Sequence, residues 1–118
     1  MANFIGVRRC TLRAGVSAQA FERDLEALTS YFLRCEPGLQ HFSWSRRGSE
    51  RTTPDYLTLE IWVDADAHGA SGKRRMAWAR GEGTPTAEFL AMYPALERIR
   101  DATDNAPVEW FQQPETAS

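Results

Sequence analysis

Long hydrophobic runs are absent from this sequence: nothing approaches the roughly 18–20 apolar residues that cross a bilayer. The opening Met1-Ala2-Asn3-Phe4 has no basic segment leading into an apolar one. No membrane partner is expected, and a cytoplasmic location is. Charge of one sign is also scarce, with 14 Lys and Arg against 16 Asp and Glu and a formal net charge of −2. Such a chain has no broad positive field to hold a nucleic acid. The two cysteines, Cys10 and Cys35, lack CxxC spacing and read as buried thiols rather than a disulfide or a zinc half-site. The two histidines, His41 and His68, are not in HxxxH spacing, so no multi-histidine metal site is expected within one chain. Lysine is reduced to Lys73 beside thirteen arginines among the 14 basic residues, and Arg is the better partner for planar oxygen acids.

What is present is the composition of a globular domain. The chain has 118 residues, 42% of them hydrophobic and 25% charged, enough for one core and too apolar for disorder. We read residues 1–113 as a single domain and 114–118 as a tail. Ile5, Val7 and Cys10 lie in a β-favouring stretch, 3–13, that ends at Ala14-Gly15. Ser17 then offers an N-cap, and Phe21, Leu25, Leu28 and Phe32 follow at helical spacing, which predicts a helix over 18–35 stopped by Pro37-Gly38. Two strands, 39–47 and 55–63, flank residues 48–54, which carry no apolar side chain and read as a hairpin loop. Asp64 can cap a short helix to about residue 71, with 73–80 as an extension or a separate turn. Gly81-Glu82-Gly83 reads as a flexible loop, since it lacks the later glycine of a nucleotide fingerprint. A helix over 87–102 must be kinked or split at Pro94, and 108–112 is a last short strand.

The order β-α-β-β-α-β is that of an α+β, ferredoxin-like split βαβ fold, a four-stranded antiparallel sheet with helices on one face. Strict alternation on the third strand separates Leu57, Leu59, Ile61 and Val63 from Tyr56, Thr58, Glu60 and Trp62. We assign the aliphatic set to the helices and the aromatic and polar set to the uncovered face. On the second strand Phe42 and Trp44 then point to the helices, and His41, Ser43 and Ser45 to the uncovered face. On the first strand Ile5 and Val7 go inward and Arg8 outward. One chain has no second layer for the uncovered face, so a homodimer with sheets face to face is expected.

Pro37-Gly38-Leu39, the strand Tyr56-Leu57-Thr58-Leu59-Glu60-Ile61-Trp62 and the following Val63-Asp64-Ala65-Asp66-Ala67-His68 resemble the dimeric α+β barrel superfamily and its antibiotic biosynthesis monooxygenase branch. The resemblance implies a cavity, between helices and sheet or within the barrel, for a flat aromatic or quinone-like substrate. It also implies oxidation of anthrones or quinols by dioxygen with no metal or flavin cofactor. Relatives of that branch cyclise polyketides or degrade haem. In its anthrone oxygenases an Asn stands four residues before the Trp and a Tyr six after. Here those places hold Thr58 and His68, and a second-strand His of some members falls near Ser45.

The candidate catalytic residues are Trp62, His68 and His41. An indole can stack on a planar ring while its N–H donates to a carbonyl; the alternative for Trp62 is packing at a dimer seam. His68, or His41, can take a phenolic proton near neutral pH; the alternative for His68 is an exposed residue at a helix start. The candidate substrate-binding residues are Tyr56, Thr58, Glu60, Arg8 and Ser45. Glu60, a mid-strand carboxylate, needs a partner, and Arg8 across the sheet is the natural one. The run Lys73-Arg74-Arg75 either binds a substrate carboxylate or is a solvated face. The function expected is cofactor-free monooxygenation of a polycyclic, polyketide-type phenol or quinol in secondary metabolism. The alternatives are a polyketide cyclase, a non-catalytic ligand-binding dimer and a haem-degrading oxygenase.

Overall fold

The computed structural model describes residues 3–46, 55–104 and 107–114. Element order is β1 (Phe4–Thr11), α1 (Ala18–Cys35), β2 (Leu39–Arg46), β3 (Asp55–Trp62), α2 (Ala65–Ala79), α3 (Ala87–Ala102) and β4 (Glu109–Gln112). The strands form one antiparallel sheet in the order β2-β3-β1-β4. The segment expected as a hairpin loop, 48–54, lies outside the described residues. Among the described residues no helix is long and apolar enough to cross a membrane. Both cysteines are free, Cys10 buried and Cys35 half-buried.

Each helix begins where a side-chain oxygen satisfies an otherwise orphaned backbone N–H. Ser17 accepts from Ala20 N, Asp64 from Ala67 N and Thr86 from Phe89 N. The stripe Phe21, Leu25, Leu28 and Phe32 is buried as its spacing requires, with Tyr31 alongside. Phe32 stacks on Phe42 of β2 with ring centroids 5.1 Å apart. Of the two alternatives left for 73–80, extension is the one observed, since Ala65–Ala79 is one helix. Pro94 does not split α3, which runs on through it.

The assignment of sheet faces is reversed for β1 and β3. Tyr56 and Trp62 are 1% and 0% exposed and lie under the helices, whereas Leu57 is 44% exposed on the opposite face. Register carries this across the sheet: Arg8 pairs with Thr58 and Cys10 with Tyr56, so Arg8 and Cys10 also face the helices. Ile5 and Val7, opposite Ile61 and Leu59, are on the open face. On β2 the expectation holds, because a register irregularity between Leu39 and His41 leaves Phe42 opposite Glu60 and Trp44 opposite Thr58. The face left uncovered is therefore the aliphatic one, extended by Phe111 of β4, which is 51% exposed. The aromatic side chains face the helices because their polar ends find partners there. Tyr56 donates to Glu22 at 2.7 Å, and Trp44 Nε1 donates to Glu26 at 2.7 Å, tying β3 and β2 to α1.

Candidate functional site

A cavity of about 560 Å³ lies between the sheet and the helix layer. Its apolar wall comes from Leu25, Leu28, Leu96 and Ile99, its aromatic wall from Phe32, Phe42 and Trp110. Its polar groups are Thr58 and Glu60 of β3, Arg8 of β1, His68 and Arg75 of α2, Arg100 of α3, and Thr103 and Asp104 just beyond α3. A mostly apolar pocket with a few convergent polar groups is the usual form of a small-molecule site.

Two glycines set its geometry. Gly38 has φ +84°, and a Cβ there would lie 2.7 Å from Cβ of Ala67. Val63 N donates to Gly38 O at 2.9 Å. The turn after α1, the end of β3 and the first turn of α2 are thus locked together, which places His68 over the sheet. Gly6 of β1 leaves room for Trp110, whose ring would lie 2.6 Å from a Cβ at that position. The indole lies flat on Phe4, with centroids 4.5 Å apart and planes within 7°.

His68 is enclosed by rings: its imidazole centroid is 4.2 Å from Trp110, 5.3 Å from Trp62 and 5.7 Å from Phe4. Its Nε2 is 4.0 Å from Glu60 Oε1, too long for a direct hydrogen bond. Burial pushes the imidazole below its ordinary pKa. Glu60 opposes that shift and Arg75 adds to it, so the ring is neutral at neutral pH and free to accept a proton. Glu60 is held by Trp62, whose Nε1–H donates to Oε1 at 2.9 Å. Cys10, on the cavity wall, has its thiol pushed up by burial and stays protonated.

Behind Arg75 is a buried carboxylate. Glu36, at the C-terminal end of α1, has a fully buried side chain. Arg74 donates to its Oε2 at 2.7 Å, and Ser71 makes a short hydrogen bond to the same oxygen. Arg75 Nε lies 3.2 Å from Oε1 without the alignment of a hydrogen bond and donates to Ser71 Oγ at 3.3 Å.

Of the residues singled out from the sequence, His68, Glu60, Thr58 and Arg8 come together on the cavity wall. Four placements are corrected. Trp62 is wholly buried behind Glu60, with its N–H already committed, so it neither stacks on a guest nor donates to one. Tyr56 donates its hydroxyl to Glu22, and burial with that carboxylate pushes its pKa up to about 12. His41 and Ser45 lie on the open face as expected, but the cavity is on the other side of the sheet and neither lines it; His41 bonds to Ser43 at 2.9 Å. Glu60 pairs with Trp62 and His68 rather than with Arg8. Trp110 was missed, whereas Arg75 was named within the run Lys73-Arg74-Arg75, with carboxylate binding as one of its two readings. That reading of Arg75 was legible in principle, because positions 68, 71 and 75 share one helix face and Ser71 is buried. Trp110 had no such signal in a four-residue strand. Among the described residues, no group of three or more His, Cys, Asp or Glu is arranged to hold a metal ion.

The sequence model described as "Antibiotic biosynthesis monooxygenase" matches residues 6–77. No curated protein matches the sequence. Among solved structures, a mutant of SnoaB, described as a cofactor-independent oxygenase from Streptomyces nogalater, aligns with TM-score 0.66 at 18% identity, over 97% of this chain and 95% of that one. A dimeric ferredoxin-like protein of unknown function from Thermobifida fusca YX aligns with TM-score 0.63 at 13% identity, over 93% and 90%. At such identities these likenesses speak for the shared ferredoxin-like fold.

Proposed function

We propose, from the premise that this chain belongs to the antibiotic biosynthesis monooxygenase family, that it is a cofactor-independent monooxygenase of a flat, polycyclic phenol or quinol of the polyketide type. The observation that carries this reading is His68: an imidazole on the wall of a cavity with an apolar side and a polar side, 4.0 Å from a carboxylate, its pKa lowered by burial. An electron-rich phenol or anthrone placed beside it loses a proton to the imidazole, and Glu60 stabilises the imidazolium that forms. The resulting anion is the reductant. It delivers electrons to dioxygen, one oxygen atom enters the ring as a carbonyl and the other leaves as water. The SnoaB structure, described as that of a cofactor-independent oxygenase, supports this chemistry for the fold.

The aliphatic open face, Ile5, Val7, Leu57, Leu59, Ile61 and Phe111, supports a homodimer in which a second copy covers it. The dimeric description of the Thermobifida protein points the same way. In this arrangement the cavity belongs to one chain and the dimer closes the sheet behind it.

Oxygen uptake by chelator-treated protein with a panel of anthrones and quinols tests the reading. Uptake that is lost in His68→Gln is expected. Tight binding of the same compounds without uptake would make the protein a ligand carrier, and ring closure without uptake would make it a cyclase.

A further inference from the structure

Resting on the reading of this cavity as the substrate site, we propose that Arg75 is its anion-recognition residue and that the substrate is an aromatic acid whose carboxylate is gripped by the terminal nitrogens of that guanidinium. Arg75 is nearly buried, with a side chain 18% exposed, and it lines the cavity beside Glu60 and His68. Its Nε is directed backward, to Ser71 Oγ at 3.3 Å and toward Glu36 Oε1 at 3.2 Å. Its planar group lies over the ring of Phe32, 4.6 Å from the centroid. The guanidinium is thereby held from behind and from one face. Among the described residues, neither terminal nitrogen has a hydrogen-bond acceptor. The outer fork is open to the cavity, not sealed in the interior, and an unused guanidinium fork matches a carboxylate in two parallel bonds.

The carboxylates nearby do not take that role. Glu36 is shared with Arg74 and Ser71, and Glu60 is occupied by the Trp62 indole. The surroundings of the cavity repeat the preference. Arg8 and Arg100 also line it, both exposed and neither ion-paired among the described residues; of the two carboxylates on the same lining, Glu60 accepts from Trp62 and Asp104 lies 3.8 Å from Arg13. Three guanidiniums converge on one cavity in a chain whose formal charge is −2. Arg8 and Arg100 would attract an acid; Arg75 would fix it, leaving the rest of the ring system against Trp110 and the leucines.

The test compares anthracene carboxylate with the isosteric anthracene carboxamide, following quenching of tryptophan fluorescence in the full-length protein. The carboxylate is expected to bind at least about tenfold more tightly, as a charge-assisted pair warrants. Arg75→Gln should remove that preference, bringing the carboxylate's affinity down to that of the carboxamide measured in the same variant. Arg75→Lys keeps the charge facing Glu36 but not the fork, and should retain only part of the preference. Equal affinity for the two probes in the unaltered protein overturns the proposal without any variant having to fold. So does a preference that survives Arg75→Gln, or one that disappears instead in Arg8→Gln or Arg100→Gln. These outcomes are independent of oxygen uptake. A carboxylate preference without turnover would leave the anion site standing and remove the oxygenase, and turnover of neutral phenols without the preference would do the reverse.

Discussion

The indole Nε1–H of Trp62 donates to Oε1 of Glu60 at 2.9 Å, two residues back along the same strand. Both side chains point to the same side of the sheet, so the hydrogen bond fixes a carboxylate at the wall of the cavity and commits the Trp to a supporting role. Trp62→Phe should therefore cost about 1–3 kcal/mol of stability, since it takes a donor from a partly buried carboxylate. A urea midpoint measures this. Quenching by an aromatic ligand should persist in that variant and be largely lost in Trp110→Phe, because Trp110 is the indole on the cavity wall. The opposite pattern would put Trp62 back in contact with the guest.

His68 makes a prediction with a definite sign. Burial holds its folded-state pKa below the ordinary 6.5, so the folded protein binds this proton less readily than the unfolded chain. The contribution to stability is fully present above about 6.5 and is lost as pH falls through the depressed folded value. Denaturant stability should fall over that acid window, and His68→Gln should flatten the fall. Activity should follow the same group, level at neutral pH and declining as the imidazole becomes protonated. At neutral pH His68→Gln should slow turnover by roughly 10²–10⁴-fold, the usual worth of a general base. An imidazole titration by NMR with a midpoint at or above 6.5 would contradict the geometry.

Much of the fold was legible because local signals agree with one another. The Phe21, Leu25, Leu28 and Phe32 spacing, the Ser17 cap and the Pro37-Gly38 stop locate α1 at the observed bounds. The face of the sheet was not legible in the same way. Alternation on β3 states that Leu57 and Tyr56 point oppositely, but which set lies under the helices depends on partners far away in sequence. Glu22 receives the Tyr56 hydroxyl and Glu60 the Trp62 N–H, and these bonds make a polar and aromatic set suitable for the interior. His68 was singled out from its place after Trp62 and lies on the cavity wall. His41 lies on the open face as its alternation required, but the cavity is on the other side of the sheet, and the basic run around Arg75 left carboxylate binding and a solvated face both open.

The open face leads to a third expectation. Leu59 lies opposite Val7 on one side and Ser43 on the other, near the middle of the uncovered surface. If a second copy covers that surface, Leu59→Glu places two carboxylates in an apolar interface without partners, a cost large enough to separate the subunits. Sedimentation should show a dimer for the unaltered protein and a monomer for the variant. Ligand quenching should be retained, since the cavity is on the other side of the sheet. A variant that remains dimeric would mean that the copies associate through another surface.

Gly6 supplies the most local test of how the site is built. Its missing side chain is what allows the Trp110 ring to lie against β1, stacked on Phe4 and 4.2 Å from the imidazole of His68. In Gly6→Ala the new Cβ would come within 2.6 Å of that ring and 3.0 Å of Glu60 Cγ. The backbone offers no relief, because Gly6 is paired with Glu60 on one side and Trp110 on the other. The indole must move away, and with it goes one wall of the cavity. Strain of this kind costs about 1–3 kcal/mol. The expected result is a protein of lowered urea midpoint that still folds, with weaker quenching by aromatic ligands and an imidazole titration for His68 closer to its ordinary value as water reaches the ring. Gly69→Ala, where no atom lies within 4 Å of the added methyl, should leave both readouts unchanged. If the two variants behave alike, Trp110 does not shape the site.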